Sequence, residues 1–172
     1  MGRSVHYSFR IEQDIFTIID KEAKDRKISI SSLMNGVLAK YAKRDRYFER
    51  LGFILMSKDV LRKWLNRIED KFLIQDSKVL GGTVAREYIS YLFHDINKHT
   101  LVEFLDLLFS TFEYYQHKVD GKTHSFAIKH DINIQYSIYM KEFLKALIES
   151  IILKELNFVE VAPNVISFSF EE

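Results

Sequence analysis

The chain runs to 172 residues, 47% hydrophobic and 28% charged, and its fourteen phenylalanines and nine tyrosines give material for one medium or two small globular domains rather than a disordered tail. It has no cysteine, hence no disulfide or thiolate metal site; Arg3, His6 and Arg10 break any signal-like run, Glu103 and Asp106 interrupt the best apolar stretch, and the expected protein is cytoplasmic with no membrane contact. The net charge of +1 conceals an asymmetry, since residues 1–50 carry eleven Lys and Arg against seven Asp and Glu while residues 51–172 carry fourteen against seventeen; phosphate neutralisation needs an excess on one face only.

In chain order, residues 1–4 read as a short arm, and residues 5–11 alternate with a period of two. Val5, Tyr7, Phe9 and Ile11 point to one face of a predicted strand, and His6, Ser8 and Arg10 to the other. The period then becomes helical: Ile15, Ile18, Ile19 and Ala23 form a stripe on a helix predicted over 13–26, with Glu12 and Asp14 near its positive end and Lys24, Arg26 and Lys27 near its negative end. Ser29 or Ser31 begins a second helix with Leu33, Met34, Val37, Leu38 and Tyr41 on its apolar side. It continues through the basic run at 40–46 towards Leu51, where Gly52 stops it. A lone strand and two short helices cannot close a core, so a second copy is expected to complete this module of residues 1–51.

The alternating YSFRI segment, the IFTIIDKEA helix and the ISISSLMNGVLAKYA turn and helix resemble the ribbon-helix-helix DNA-binding fold of bacterial, archaeal and phage repressors. The resemblance covers a quarter of the chain, with Lys27 and Ile28 standing where the family often carries glycine. It implies a homodimer whose two strands pair antiparallel and enter the major groove of double-stranded DNA. On that reading His6, Ser8 and Arg10 face base edges, Arg10 in a bidentate contact to guanine. Arg3, Ser29, Ile30 and Ser31 would meet phosphates, the last three at the positive end of the second helix.

Beyond Gly52 the second expected domain, 52–172, opens with a short apolar strand at 53–56. Ser57 then caps a helix carrying Val60, Leu61, Trp64, Leu65 and Ile68 on one stripe, with Trp64 as core filling. Gly81 and Gly82 mark a break, and Thr83 is expected to cap a helix with Val84, Tyr88, Ile89, Leu92 and Phe93 on one side. Thr100 is expected to cap the next helix, which stays apolar on almost every side through residue 118. The Asp120-Gly121 turn leads to a strand with Phe126, Ile128 and His130 on one face, a long amphipathic helix follows over 134–153, and two alternating runs flank Pro163-Asn164 as a hairpin. The predicted fold class is α+β, with helices on a small, mostly antiparallel sheet behind the ribbon module. By analogy, such a domain would serve dimerisation or the sensing of a small-molecule or metal effector.

Imidazole and carboxylate groups would suit nickel, zinc or cobalt, and His124, His130 and Asp131 are the candidates; two histidines six residues apart on one strand face lie about 20 Å apart, too far to share an ion. No cofactor is expected. The sequence lacks a cysteine nucleophile, a Gly-x-Ser-x-Gly elbow, a glycine-rich phosphate loop and a His-Glu-x-x-His helix, so no enzyme is expected either. The leading expectation is therefore a homodimeric, sequence-specific transcriptional regulator, in the first instance a repressor. The alternatives are an antitoxin with a toxin-binding tail and a chromatin-like protein that coats DNA without sequence preference.

Overall fold

A computed structural model describes residues 5–171 and divides into two compact units, 1–46 and 47–172. In the first unit, helix α1 (Gln13–Asp25) ends in a Schellman motif: Ile28 N–H donates to Ala23 O and Lys27 N–H to Lys24 O, both at 3.0 Å. Helix α2 (Ile30–Lys40) begins at Ser29, whose Oγ accepts from Ser32 N–H at 3.1 Å. A π-helical turn (Tyr41–Asp45) follows. Residues 5–12 form no strand within this chain. The ribbon expected there has no ladder partner in a single copy, and an unpaired segment has nowhere to place its backbone hydrogen bonds except solvent.

The second unit starts at Tyr47, one residue into the short helix α3 (Arg46–Arg50), where Tyr47 and Phe48 lay their rings against Phe93 and Phe53. Those contacts draw the division of the chain ahead of Gly52, the boundary expected from the sequence. Helices α4 (Lys58–Leu65), α5 (Asp70–Val79), α6 (Ala85–Phe93) and α7 (Lys98–Phe109) precede the hairpin of β1 (Tyr114–Asp120) and β2 (Thr123–Lys129). The long helix α8 (Ile134–Ile152) and the hairpin of β3 (Asn157–Val161) and β4 (Val165–Glu171) complete the unit. All pairings in the sheet are antiparallel, in the order β1-β2-β4-β3. The fold is mixed helix and antiparallel sheet, in agreement with the α+β class.

The core follows from the two periods meeting. Phe126 and Ile128 of β2 and Ile166, Phe168 and Phe170 of β4 point inward at period two, against Leu101, Leu105 and Phe109 of α7 and Leu144, Leu147 and Ile148 of α8. Phe126 lies opposite Phe168 in the register with stacked rings 5.1 Å apart, and Phe109 meets both edge-on at about 6 Å. Arg62 ties α4 to the loop before α8, donating from Nε to Ile132 O at 2.7 Å and from Nη2 to Asp131 O at 2.9 Å.

Several expectations are corrected. Residues 53–56 are not a strand: Leu55 is wholly exposed, and the segment joins no ladder. The predicted helix from Ser57 splits into α4 and α5, because Asn66 closes the first and its side chain takes a 2.7 Å bond from Asn133. Gly81 and Gly82 do not break the chain but sit in a π-helical turn (Leu80–Val84), and the Thr83 hydroxyl donates back to Val79 O rather than capping. Asn97, not Thr100, caps α7, with Thr100 as its partner in a capping box. The helix expected to run to residue 118 ends at Phe109, because Tyr115 and His117 gain a ladder with β2 across the Asp120-Gly121 turn.

His130, wholly buried, joins three elements through one fixed tautomer. Ile132 N–H donates to its Nδ1 at 3.2 Å, so Nε2 carries the proton and donates to Ser137 Oγ at 2.9 Å; that hydroxyl in turn donates to Ala162 O. Burial pushes the imidazole down to about 4 from its ordinary 6.5. The unfolded chain therefore takes up this proton before the folded chain does. The stabilisation is complete above about pH 6.5 and is lost as the pH falls towards 4, a loss of about 2–3 kcal/mol. Urea titrations at pH 7 and pH 4.5 should show a pH-dependent loss in the native chain that His130→Asn reduces by about that amount. An equal loss in both proteins would place the acid sensitivity elsewhere.

Candidate nucleic-acid interface

The first unit presents polar and apolar groups on a chain too small to hide them. Among its described residues Ala23 is the only buried hydrophobic one. Val5 is 87%, Tyr7 82% and Phe9 53% exposed, and Ile15, Ile18, Val37, Leu38 and Tyr41 also face solvent. Each such side chain would contribute about 1.5–3 kcal/mol if buried, so the unit leaves most of its own driving force unused. Tyr7 and Phe9, two residues apart, stack their rings with centroids 6.5 Å apart. That is the neighbour relation expected for one face of an extended segment. His6, Ser8 and Arg10 are exposed between them.

At the start of α2 the Ser29 hydroxyl is engaged as an acceptor by the cap, which leaves its proton to donate outward. The first N–H groups of the helix, those of Ile30 and Ser31, have no intrahelical carbonyl within reach. Together they make an arrangement able to hold an anion at the positive end of the dipole. Arg3 lies outside the described residues. Part of the basic excess is already paired, Lys24 with Asp20, Arg26 with Glu22, and Lys40 and Arg44 with Asp45. The two cations hold the Asp45 carboxyl below its usual range, the hydrogen bond from Arg44 contributing most.

Lys27, one of the two residues with Ile28 that stand where the resembled family often carries glycine, has φ +55°, the left-handed backbone that an L side chain adopts at a cost. The turn thus has the geometry a glycine would give, but with a lysine in it. Lys27→Gly is expected to raise stability by about 0.5–1 kcal/mol, read as a higher urea midpoint. A lower midpoint would mean that the lysine side chain contributes more than its backbone costs.

No family model, curated protein or solved structure matches this chain. No described helix is long and apolar enough to cross a membrane.

In the second unit the metal candidates do not converge. His130 is held by Ser137 and Ile132 as described, Asp131 pairs with Lys129 at 3.5 Å, and His124 is drawn to another ring. His124 Nδ1 lies 2.8 Å from His117 Nε2, and His117 Nδ1 lies 3.0 Å from Asp106, whose carboxylate also accepts from the Tyr115 hydroxyl. The result is a chain of Asp, His and His against the stacked rings of Phe126 and Phe170. Among the described residues no group of three or more His, Asp or Glu is placed to hold a metal ion. Sequence reasoning missed this chain because it put His117 on a helix. The signal was the Asp120-Gly121 turn, which folds His117 back beside the strand carrying His124.

Proposed function

We propose that the protein is a homodimeric, sequence-specific DNA-binding regulator of the ribbon-helix-helix kind, acting as a repressor. The observation that carries this reading is the incompleteness of the first unit: capped helices preceded by an alternating segment whose apolar row is left in solvent. A second copy would cover that row by pairing the two segments across a dyad, and pairing turns the opposite row, His6, Ser8 and Arg10, towards a ligand. A two-stranded ribbon fits the major groove. There Arg10 meets guanine, Ser8 donates or accepts, and His6 meets an acceptor or a phosphate. Arg3, Ser29, Ile30 and Ser31 would set the register on phosphates. The second unit, with its own buried core, differs from a tail that folds only on a toxin, and this favours the regulator over the antitoxin.

The test is fluorescence anisotropy against genomic fragments, with the salt slope measured beside the affinity. Arg10→Ala is expected to weaken the specific complex about tenfold to hundredfold, with non-specific binding little changed. Unchanged specific affinity would remove the ribbon from the groove. Shallow discrimination with a steep salt slope would point to DNA coating instead.

A further inference from the structure

The second unit carries a partly open pocket of about 400 Å³ bounded by α4, the π-helical turn before α6, α6 itself, α7 and α8. Leu61, Phe104, Met140 and Phe143 supply apolar wall, and Phe53 stands at the edge with its ring 5.9 Å from that of Tyr88. No side chain with a formal charge lines the space. Its polar groups are the phenols of Tyr88, Tyr136 and Tyr139, whose hydroxyls have no hydrogen-bond partner among the described residues and remain within reach of a water. Burial pushes the Tyr139 phenol up to about 12 and the Tyr136 phenol higher still, so both remain neutral donors.

A pocket of this size lies within the range of small-molecule sites. An apolar wall rewards an apolar ligand, and unpartnered phenols call for an acceptor oxygen on it. The lack of any charge in the wall excludes an ion, which would lose its hydration with nothing to replace it. We infer that the pocket is the binding site for an uncharged, largely apolar small molecule bearing one or two acceptor oxygens, a ketone or ester of aryl or alkyl skeleton. Phe53 precedes an exposed segment, 54–56, and follows Gly52 with its left-handed φ of +69°. Occupancy therefore acts on the stretch of chain that leads back to the N-terminal unit. This regulatory half rests on the DNA-binding reading, whereas the binding half does not.

Nile red, uncharged and with one carbonyl, serves as the probe on the full chain. Its emission should shift to the blue and saturate at one dye per chain. 2-Acetylnaphthalene should displace it at least tenfold more effectively than 2-naphthoate, which has the same skeleton with a charge. Leu61→Trp fills the space and should abolish binding in a protein that still melts cooperatively; should it fail to fold, Tyr88→Phe and Tyr139→Phe should each weaken binding about fivefold. Equal displacement by the anion, or dye binding unaltered by every substitution, overturns the site. In the second arm 2-acetylnaphthalene should change the affinity for a specific DNA fragment at least fivefold. Ligand binding without that change removes the regulatory role and leaves the DNA-binding reading standing. An inert Arg10→Ala with the ligand still displacing the dye removes the DNA reading and leaves the pocket.

Discussion

Gly81→Ala is expected to cost the second unit about 3 kcal/mol or more, while Gly82→Ala, one residue on, is expected to add up to about 1 kcal/mol. A Cβ on Gly81 would stand 2.1 Å from Phe143 O, 2.9 Å from its carbonyl carbon and 3.1 Å from its Cα. All three are backbone atoms of α8, which cannot swing aside as the tip of a side chain would. The π-helical turn would have to lift away from α8, carrying with it the buried Ala85 and Ile89 that follow. Gly82 has nothing within 4 Å of its Cβ position and helical backbone, so alanine there removes chain entropy from the unfolded state without a clash. Urea unfolding, compared at equal slopes, should show midpoints moving in opposite directions. If Gly81→Ala unfolds at the native midpoint, the helices do not approach at that point.

The same two glycines show where sequence reading stops. Read as chain breakers, they mark a close crossing instead, because glycine's missing side chain matters here more than its backbone freedom, and only a neighbour's position tells the two apart. Residues 114–118 are a similar case: Tyr-Tyr-Gln-His-Lys carries no period that separates helix from strand, and the ladder offered by β2 decides. Legible features were those decided within a few residues. Ser57 caps as expected and Ser29, one of the two serines offered, caps the second helix; Asp120-Gly121 turns, and the alternating runs around Pro163-Asn164 pair as β3 and β4. At the N-terminus the sequence placed His6, Ser8 and Arg10 on a polar row, and they are exposed, but the strand expected there does not form within one chain. The tyrosine-lined pocket was not legible, since its walls come from residues as far apart as Phe53 and Phe143.

Phe9→Asp is expected to abolish specific DNA binding, lowering affinity by about a thousandfold or more, or about 4 kcal/mol. If the apolar row is the seam between two copies, symmetry enters the substitution twice. Two carboxylates would then face each other where Val5, Tyr7 and Phe9 should pack, each losing its hydration with no cation to replace it. The effect differs from that of Arg10→Ala, which keeps the seam and removes only a base contact. Molar mass by light scattering and anisotropy on one specific fragment separate the two: Arg10→Ala should remain dimeric and lose discrimination, whereas Phe9→Asp should lose the complex altogether. The thermal transition of the second unit should stay where it is in both variants, because its core includes neither residue. A Phe9→Asp protein that binds the fragment as tightly as the native chain would mean that the row exposed at residues 5–9 is not what two copies share.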